Sequence, residues 1–318
     1  MPNIYAVTGG AGFIGSHLAE RLLRDGHCVR VIDNLLTGTE RNLAYLRTLG
    51  GHLEEYRVSV TDLEVLRPIF TEVDVVFHQA ALPSVPRSIA DPLETHFHTV
   101  TGTLNVLVAA RDCGVRRVVL AASSSAYGDG DAEFKTEDLL PAPKSPYGVA
   151  KLAGEYYAQA FWLNYGLETV NLRYFNVFGP RQDPTSQYAA VIPKFITAML
   201  QGEPPTIYGD GTQSRDFTYV DNVIYANLLA ASSPKAVGQT INCATGGNVT
   251  LLELVDKLNA LLGTNLAPVM APPRPGDILH SRAGVQKARD LLGFVPPIDF
   301  DTGLALTVEW YRSEQAAG

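Results

Sequence analysis

Apolar residues in the first part of this chain switch repeatedly between two spacings. Ile4-Tyr5-Ala6-Val7 is a short continuous run. After a glycine cluster, Phe13-Ile14, Leu18-Ala19 and Leu22-Leu23 recur at helical spacing. The exchange then repeats. Cys28 to Asp33 reads as a strand and Glu40 to Leu49 as a helix. A third strand is expected near Glu55 to Val60, closed by Thr61-Asp62, with a helix over Leu63 to Phe70. Val73 to Phe77 is apolar throughout, as in a strand buried on both faces, and ends in His78-Gln79-Ala80-Ala81. A long helix follows from about Pro92 to Cys113, with Gly114 placed to cap it. Arg117 to Ala122 is the next strand and leads into Ser123-Ser124-Ser125. Such alternation implies an α/β fold with a doubly wound parallel sheet of Rossmann type. Ligands of these sheets bind beyond the carboxyl ends of the strands. From about Pro180 the texture changes: Gly202, Pro204, Pro205, Gly209 and Gly211 cluster and elements shorten. A smaller C-terminal α/β substrate domain is expected over 179–318, after a cofactor domain over 1–178. The chain is expected to return to the first sheet near 217–245.

Bulk properties narrow the partners. A length of 318 residues suits about two domains. Hydrophobic residues make up 46% and charged residues 18%, as in a soluble globular protein. With a net charge of −8 and no basic block, nucleic acid is not an expected partner. No apolar run reaches the roughly 18 residues of a membrane span, and the chain enters its first strand without a leader, so a cytoplasmic location is expected. Cys28, Cys113 and Cys243 are isolated, which fits a reducing compartment. His96 and His98 sit two apart on a helical pattern without a third ligand, so no metal is expected. His78 reads as a structural residue at a strand end, and the acidic stretch Asp129 to Asp138 as solvated surface.

Two stretches carry chemistry. Gly9-Gly10-Ala11-Gly12-Phe13-Ile14-Gly15 lies between the first strand and the first helix. Glycines there let the main chain approach a pyrophosphate, and the free N–H groups of the helix start face it. Asp33, ending the second strand, can accept hydrogen bonds from ribose hydroxyls and would repel the extra phosphate of NADP, so the expected cofactor is NAD. The second stretch is Ser145-Pro146-Tyr147-Gly148-Val149-Ala150-Lys151. Ser145 suits a helix N-cap and Pro146 the first helical position. Tyr147 and Lys151 then share one helix face. A cation about 4 Å from a phenol is worth roughly 4 kcal/mol at an effective dielectric near 20. That suffices to bring a group that ordinarily titrates at about 10 close to neutrality, so Tyr147 is a candidate base.

These motifs, with Ser123-Ser124-Ser125-Ala126-Tyr127-Gly128, resemble the extended short-chain dehydrogenase/reductase superfamily. Three further stretches narrow the resemblance: Leu172 to Pro184, Gly209 to Phe217, and Arg274-Pro275-Gly276-Asp277. Together they are similar to the UDP-glucose and UDP-N-acetylglucosamine 4-epimerases over essentially the whole chain. The resemblance implies catalytic roles for Ser123, Tyr147 and Lys151. Ser123 would bond the sugar C4 oxygen and Lys151 would hold the nicotinamide ribose. It implies an NAD site formed by Gly9, Gly12, Phe13, Ile14, Gly15, Asp33, Asn34, Asp62, Gln79, Ala80, Ala81 and Tyr174, with Tyr147 and Lys151. It implies substrate contacts from Ser84, Ser123, Ser124 and Tyr147. Asn176, Arg215 and Arg274 would meet the diphosphate, and Asp277 the ribose or uridine. Ala190, Val191 and Phe195 would pack on uracil.

The implied activity is NAD-dependent 4-epimerisation of UDP-GlcNAc/UDP-GalNAc, and also of UDP-Glc/UDP-Gal, through a transient 4-keto sugar. A small residue at Ser281 goes with acceptance of acetylated sugars. Dehydratases and decarboxylases of the superfamily carry an acid soon after the catalytic Ser or Thr, where this chain has Ser124 and Ser125. Thr99 stands where relatives carry asparagine, and Pro83 where many have Lys or Gly. A UDP-glucuronate 4-epimerase, with Arg87 as the cation near C6, and an NAD-binding sensor without turnover are the alternatives. The resemblance further implies a homodimer pairing the helices near 92–113 and 146–165.

Overall fold

The computed structural model describes residues 3–130, 132–184, 190–273 and 280–317. Its first half alternates as the apolar spacing requires. β1 (Ile4–Thr8), α1 (Phe13–Arg24), β2 (Cys28–Ile32), α2 (Glu40–Thr48), β3 (His52–Tyr56), α3 (Leu63–Phe70) and β4 (Val75–His78) come first. The expected third strand is thus displaced towards the N-terminus. α4 (Val85–Ala90) and α5 (Pro92–Thr95) lead into a π-helical segment, His96–Thr101, and α6 (Gly102–Asp112). The single long helix expected over this region is therefore interrupted by a wider turn. β5 (Arg117–Ser123), α7 (Pro146–Tyr165) and β6 (Glu168–Tyr174) complete this half. Ser145 caps α7 by accepting the Gly148 N–H, and Gly166, with φ of +70°, ends it.

The second half is built of short pieces: β7 (Val177–Phe178), α8 (Val191–Leu200), β8 (Thr206–Tyr208), β9 (Ser214–Arg215) and β10 (Thr218–Tyr219). After α9 (Val220–Ser232) come β11 (Gln239–Cys243), β12 (Val249–Thr250), α10 (Leu251–Leu262), β13 (Val269–Ala271), β14 (His280–Ser281), α11 (Gln286–Leu292) and α12 (Phe300–Ala317).

Seven strands form one parallel sheet in the order β11-β6-β5-β4-β1-β2-β3. The order reverses between β1 and β4, which opens a crevice at their carboxyl ends. β11 is contributed by a late stretch that rejoins the sheet beside β6. One face packs α1 and α9 against Val7, Val31, Phe77 and Leu172. The other packs α3, α6 and α7 against Ala6, Ile32, Val76 and Leu120. Every residue of β5 is buried, including Arg117, whose guanidinium pairs with Glu168 at 2.7 Å. The stretch expected as solvated acidic surface instead packs partly inward. Lys135 is buried, and Glu137 accepts the Asn242 N–H at 2.7 Å.

Candidate active site

The turn after β1 leaves no room for side chains at two places. Gly9 has φ of +68°, and a Cβ there would lie 2.8 Å from the Ala80 nitrogen. A Cβ on Gly15 would lie 2.1 Å from the Gly9 carbonyl oxygen. Only glycine fits. α1 begins at Phe13 and Ile14 with Gly12 as N-cap and no capping side chain, so its first N–H groups suit an anion. At the end of β2, Asp33 accepts N–H bonds from Ala11 (3.0 Å) and Leu35 (2.8 Å). Burial raises its carboxyl above the usual range, and these N–H groups oppose the shift. Gly9, Asp33, Asn34, Ala80 and Ala81 line one cavity. The glycine cradle, the helix start without a side-chain cap and the acid after β2 fit a bound dinucleotide.

Other expected cofactor residues take different positions. The Asp62 carboxylate caps α3 by accepting the Glu64 N–H at 3.2 Å. It is Val58, Ser59 and Val60 that reach the cavity wall, with His98 of the π-helical segment. The Tyr174 hydroxyl donates to Gln79 at 3.1 Å and accepts from Asn227 of α9 at 2.9 Å. It therefore ties β4, β6 and α9 together. His78 is buried and serves the same frame. Thr103 gives its hydroxyl proton to the Thr99 carbonyl at 2.6 Å, so its oxygen accepts from His78 Nε2 at 3.0 Å. His78 Nδ1 then takes the Thr8 hydroxyl proton at 2.7 Å, and Thr8 accepts the Ala80 N–H at 3.3 Å. Burial lowers the imidazole to about 3, with the Lys151 charge acting the same way. The Thr99 hydroxyl accepts the Leu82 N–H at 3.5 Å. The wider π turn thus aims Thr99 and His98 at the loop after β4.

Ser123, Tyr147 and Lys151 come together at the carboxyl end of β5. The Ser123 hydroxyl accepts the Ser125 N–H at 3.2 Å, lies 3.1 Å from the Ser125 hydroxyl, and favours the ionised form of the Tyr147 phenol. Lys151 Nζ donates to the Ala121 carbonyl at 2.7 Å. Burial raises the Tyr147 phenol above its ordinary value, opposed by the Ser123 hydrogen bond. The expected pull of Lys151 on the phenol is not among the forces acting on it. Burial lowers the Lys151 amine to about 8. Ser124 follows in a short 3-10 turn.

A second cavity, of about 270 Å³, is lined by Asn176, Ala190, Val191, Phe195 and Arg215, all expected substrate residues. Tyr208, Gln213, Phe217 and Leu251 join them. Gln213 and Phe217 lie in the stretch that first pointed to this site, whereas Tyr208 and Leu251 carry no motif. Asn176 has φ of +35° and donates to the Asp216 carbonyl at 3.0 Å. Its position follows from the sheet, since Tyr174, two residues earlier, pairs in register with Ser123. Ser281 is buried and pairs with Arg215 between β14 and β9. Ser84 caps α4, accepting the Arg87 N–H at 3.1 Å. Arg274 and Asp277 lie outside the described residues. Among the described residues, no cluster of His, Cys, Asp and Glu could hold a metal ion, and no helix is long and apolar enough to cross a membrane.

The Ser123, Tyr147 and Lys151 side chains and the glycine cradle lie at the carboxyl edge of one doubly wound sheet, an arrangement of the dinucleotide-dependent short-chain dehydrogenase/reductase type. Residues 5–244 match the NAD dependent epimerase/dehydratase family, and the chain belongs to it. NAD is the cofactor of that family. The chain is 38% identical to a UDP-glucose 4-epimerase of Mycolicibacterium smegmatis, over 97% of this chain and 98% of that one. It is 33% identical to a UDP-N-acetyl-alpha-D-glucosaminuronate decarboxylase of Bacillus cytotoxicus, over 96% and 97%. The solved UDP-N-acetylglucosamine 4-epimerase of Methanobrevibacter ruminantium, in complex with UDP-N-acetylmuramic acid, matches with a TM-score of 0.93 at 40% identity, over 99% of this chain and 100% of that one.

Proposed function

We propose that this chain is an NAD-dependent UDP-hexose 4-epimerase, interconverting UDP-GlcNAc with UDP-GalNAc and UDP-Glc with UDP-Gal through a transient 4-keto sugar. The observation that carries the reading is that Ser123, at the end of β5, acts on the buried Tyr147 phenol, while Ser124 and Ser125 follow it with no carboxyl group in their places. Dehydration or decarboxylation after oxidation asks for an acid there. Oxidation and re-reduction at one carbon does not.

NAD supplies a hydride acceptor and donor for C4. Tyr147 takes the C4 hydroxyl proton and later returns it, and Ser123 holds the C4 oxygen. Burial favours the neutral phenol, so proton loss near neutrality needs positive charge close by. In this reading Lys151, one helical turn on, supplies it in the cofactor-bound site, since its charge does not act on the phenol without the cofactor. Asn176 and Arg215 hold the diphosphate, and Ala190, Val191 and Phe195 hold the base, while the keto sugar turns over. Binding energy from the non-reacting UDP keeps a mobile intermediate in place.

Ser281 is small and pairs with Arg215 of the cavity wall, which supports acceptance of an acetamido group. A uronate-specific site would need a cation near C6. Arg87 is engaged by Glu94 through two hydrogen bonds, of 3.0 and 2.7 Å, so the hexose reading is favoured. The exposed apolar side chains Ile89, Leu93, Phe97, Val149, Tyr156 and Leu163 support a homodimer joined through α5, the π-helical segment and α7. Leu93 is 82% and Leu163 71% exposed.

Proton NMR of the purified protein with UDP-GlcNAc and, separately, UDP-Glc tests the reading through the anomeric signals of the gluco and galacto forms. Both substrates should convert. Conversion of UDP-Glc alone would remove the proposed role of Ser281, and conversion of neither would overturn the epimerase.

A further inference from the structure

Behind the serine, tyrosine and lysine lies a buried ion pair that the proposed reaction does not use. Glu155 follows Lys151 by one turn of α7. Its carboxylate accepts two hydrogen bonds from Arg173 of β6, from Nε at 2.9 Å and Nη2 at 2.7 Å. The two side chains are only 4% and 5% exposed. The Arg173 guanidinium lies 4.5 Å from the centre of the Tyr127 ring. Tyr127 closes the turn that carries the serines, its N–H bonding to the Ser124 carbonyl at 3.0 Å. Its hydroxyl donates to Asn242 of β11 at 2.6 Å. In the sheet, Arg173 pairs with Ala122 on one side and Asn242 on the other. One guanidinium thereby braces the helix of Tyr147 and Lys151, the serine turn and three strands.

Stability alone does not account for this pair. Replacing a buried ion pair by apolar side chains of similar volume is often neutral or stabilising. Here Arg173 Nη1 has no partner, which adds to its cost. The surroundings of Lys151 suggest another reason. From β4 it is faced by His78, which is neutral, and from β5 by the Ala121 carbonyl. On its own helix it is flanked by Tyr147 and Glu155. β6 brings Arg173, already paired. The π-helical segment packed on α7 brings the buried hydroxyl of Thr99, while His96 is exposed and His98 half-buried. Glu155 is the anion in this group.

We propose that Glu155, held by Arg173, is a positioning residue for the reaction: it keeps Lys151 an ammonium and, through Arg173 and Tyr127, holds the serine turn against Tyr147. This rests on the 4-epimerase reading. Burial pulls the Lys151 amine down, and the Glu155 charge opposes that pull.

The test compares wild type with Glu155→Gln, Glu155→Asp and the paired replacement Glu155→Leu with Arg173→Met. Thermal stability, the pH profile of kcat, and KM are measured. NMR of 13Cε-labelled lysine, with the Lys151 signal assigned by Lys151→Met, follows the amine directly. The paired variant should keep near-wild-type stability, because neither member of the Glu155–Arg173 pair is left buried without the other. Its Lys151 signal should titrate about one pH unit lower, and the alkaline limb of kcat should move with it. At about pH 8, kcat should fall about five-fold with KM little changed. Glu155→Gln should shift the titration in the same direction, and Glu155→Asp should restore most of both readouts. An unchanged Lys151 titration in a folded variant lacking the Glu155 charge would overturn the proposal, whatever its turnover. A wild type inert towards UDP-sugars would overturn the epimerase reading, and the lysine titration would still decide the role of Glu155.

Discussion

On the side proposed for the cofactor, the glycine turn and the loop after β4 bring main chain and small side chains, Gly9, Ala80 and Ala81, to a wall that Asp33, fixed by two N–H groups, shares with Val58, Val60 and His98. On the side proposed for the nucleotide sugar, the wall is made of side chains from separate stretches, among them Asn176, Phe195, Tyr208, Arg215 and Leu251. A cradle of main chain does not move aside easily for an added atom, because the opposing atoms are main chain of Gly9, Gln79 and Ala80, one or two residues beyond the ends of β1 and β4. A wall of side chains gives way by degrees. Changes on the cofactor side should therefore act nearly all-or-none, and changes on the substrate side in steps.

The sharpest break would come from Gly15→Ala, whose new Cβ is directed onto the Gly9 carbonyl. The purified variant should carry no NAD in a cofactor assay of its extract, and a full complement would refute the rigid cradle. Tyr147→Phe should lower kcat by about 10³-fold, within the range for loss of a general base, with NAD content unchanged. Loss of both would make Tyr147 a cofactor anchor instead. On the other side, Arg215→Ala should weaken UDP binding by about ten- to a hundred-fold in calorimetry, the scale of a charged hydrogen bond, with NAD still bound. Ser281→Tyr should depress kcat/KM for UDP-GlcNAc by about ten-fold more than for UDP-Glc, the scale of a steric mismatch in a pocket. Equal losses would remove Ser281 as the determinant of sugar choice.

An effect on stability rather than on binding or turnover concerns the frame under the cofactor wall. His78 is neutral in the folded chain down to about pH 3, while in the unfolded chain it binds a proton below about 6.5. The unfolded state thus holds more protons between those values, and stability is lost as pH falls through that window. The loss should be on the order of 2 kcal/mol at about pH 4.5 relative to pH 7 in chemical denaturation. His78→Gln should flatten it, and an equally steep profile in the variant would exclude His78.

The same contrast governs what could be read from the chain before its structure. The glycine turn, Asp33 and the Ser145-to-Lys151 helix start were legible because each is a local rule, set by backbone geometry within a few residues. β3 was misplaced because it is an edge strand, only partly buried at Leu53 to Tyr56, with a weak apolar pattern. The stronger signal of Val58 and Val60 belongs to the loop that reaches the cofactor wall. The π turn at His96–Thr101 left no mark in the spacing, since its apolar positions suit an ordinary helix equally well. Asp62, which the resemblance places at the cofactor, caps α3 with its side chain. Tyr208 and Leu251 reach the nucleotide cavity through two- and three-residue strands and a helix start, joined over long separations. The Glu155–Arg173 pair depends on the register of α7 on β6, which neither segment states alone.

The central claim is that the hydride leaves C4 and returns to C4 within one site. UDP-GlcNAc deuterated at C4 tests it most directly, with both epimers examined by NMR and mass spectrometry. The account predicts that UDP-GlcNAc and UDP-GalNAc at equilibrium both retain the deuterium at C4. Loss of the label to solvent during conversion, or its appearance at another carbon, would contradict it.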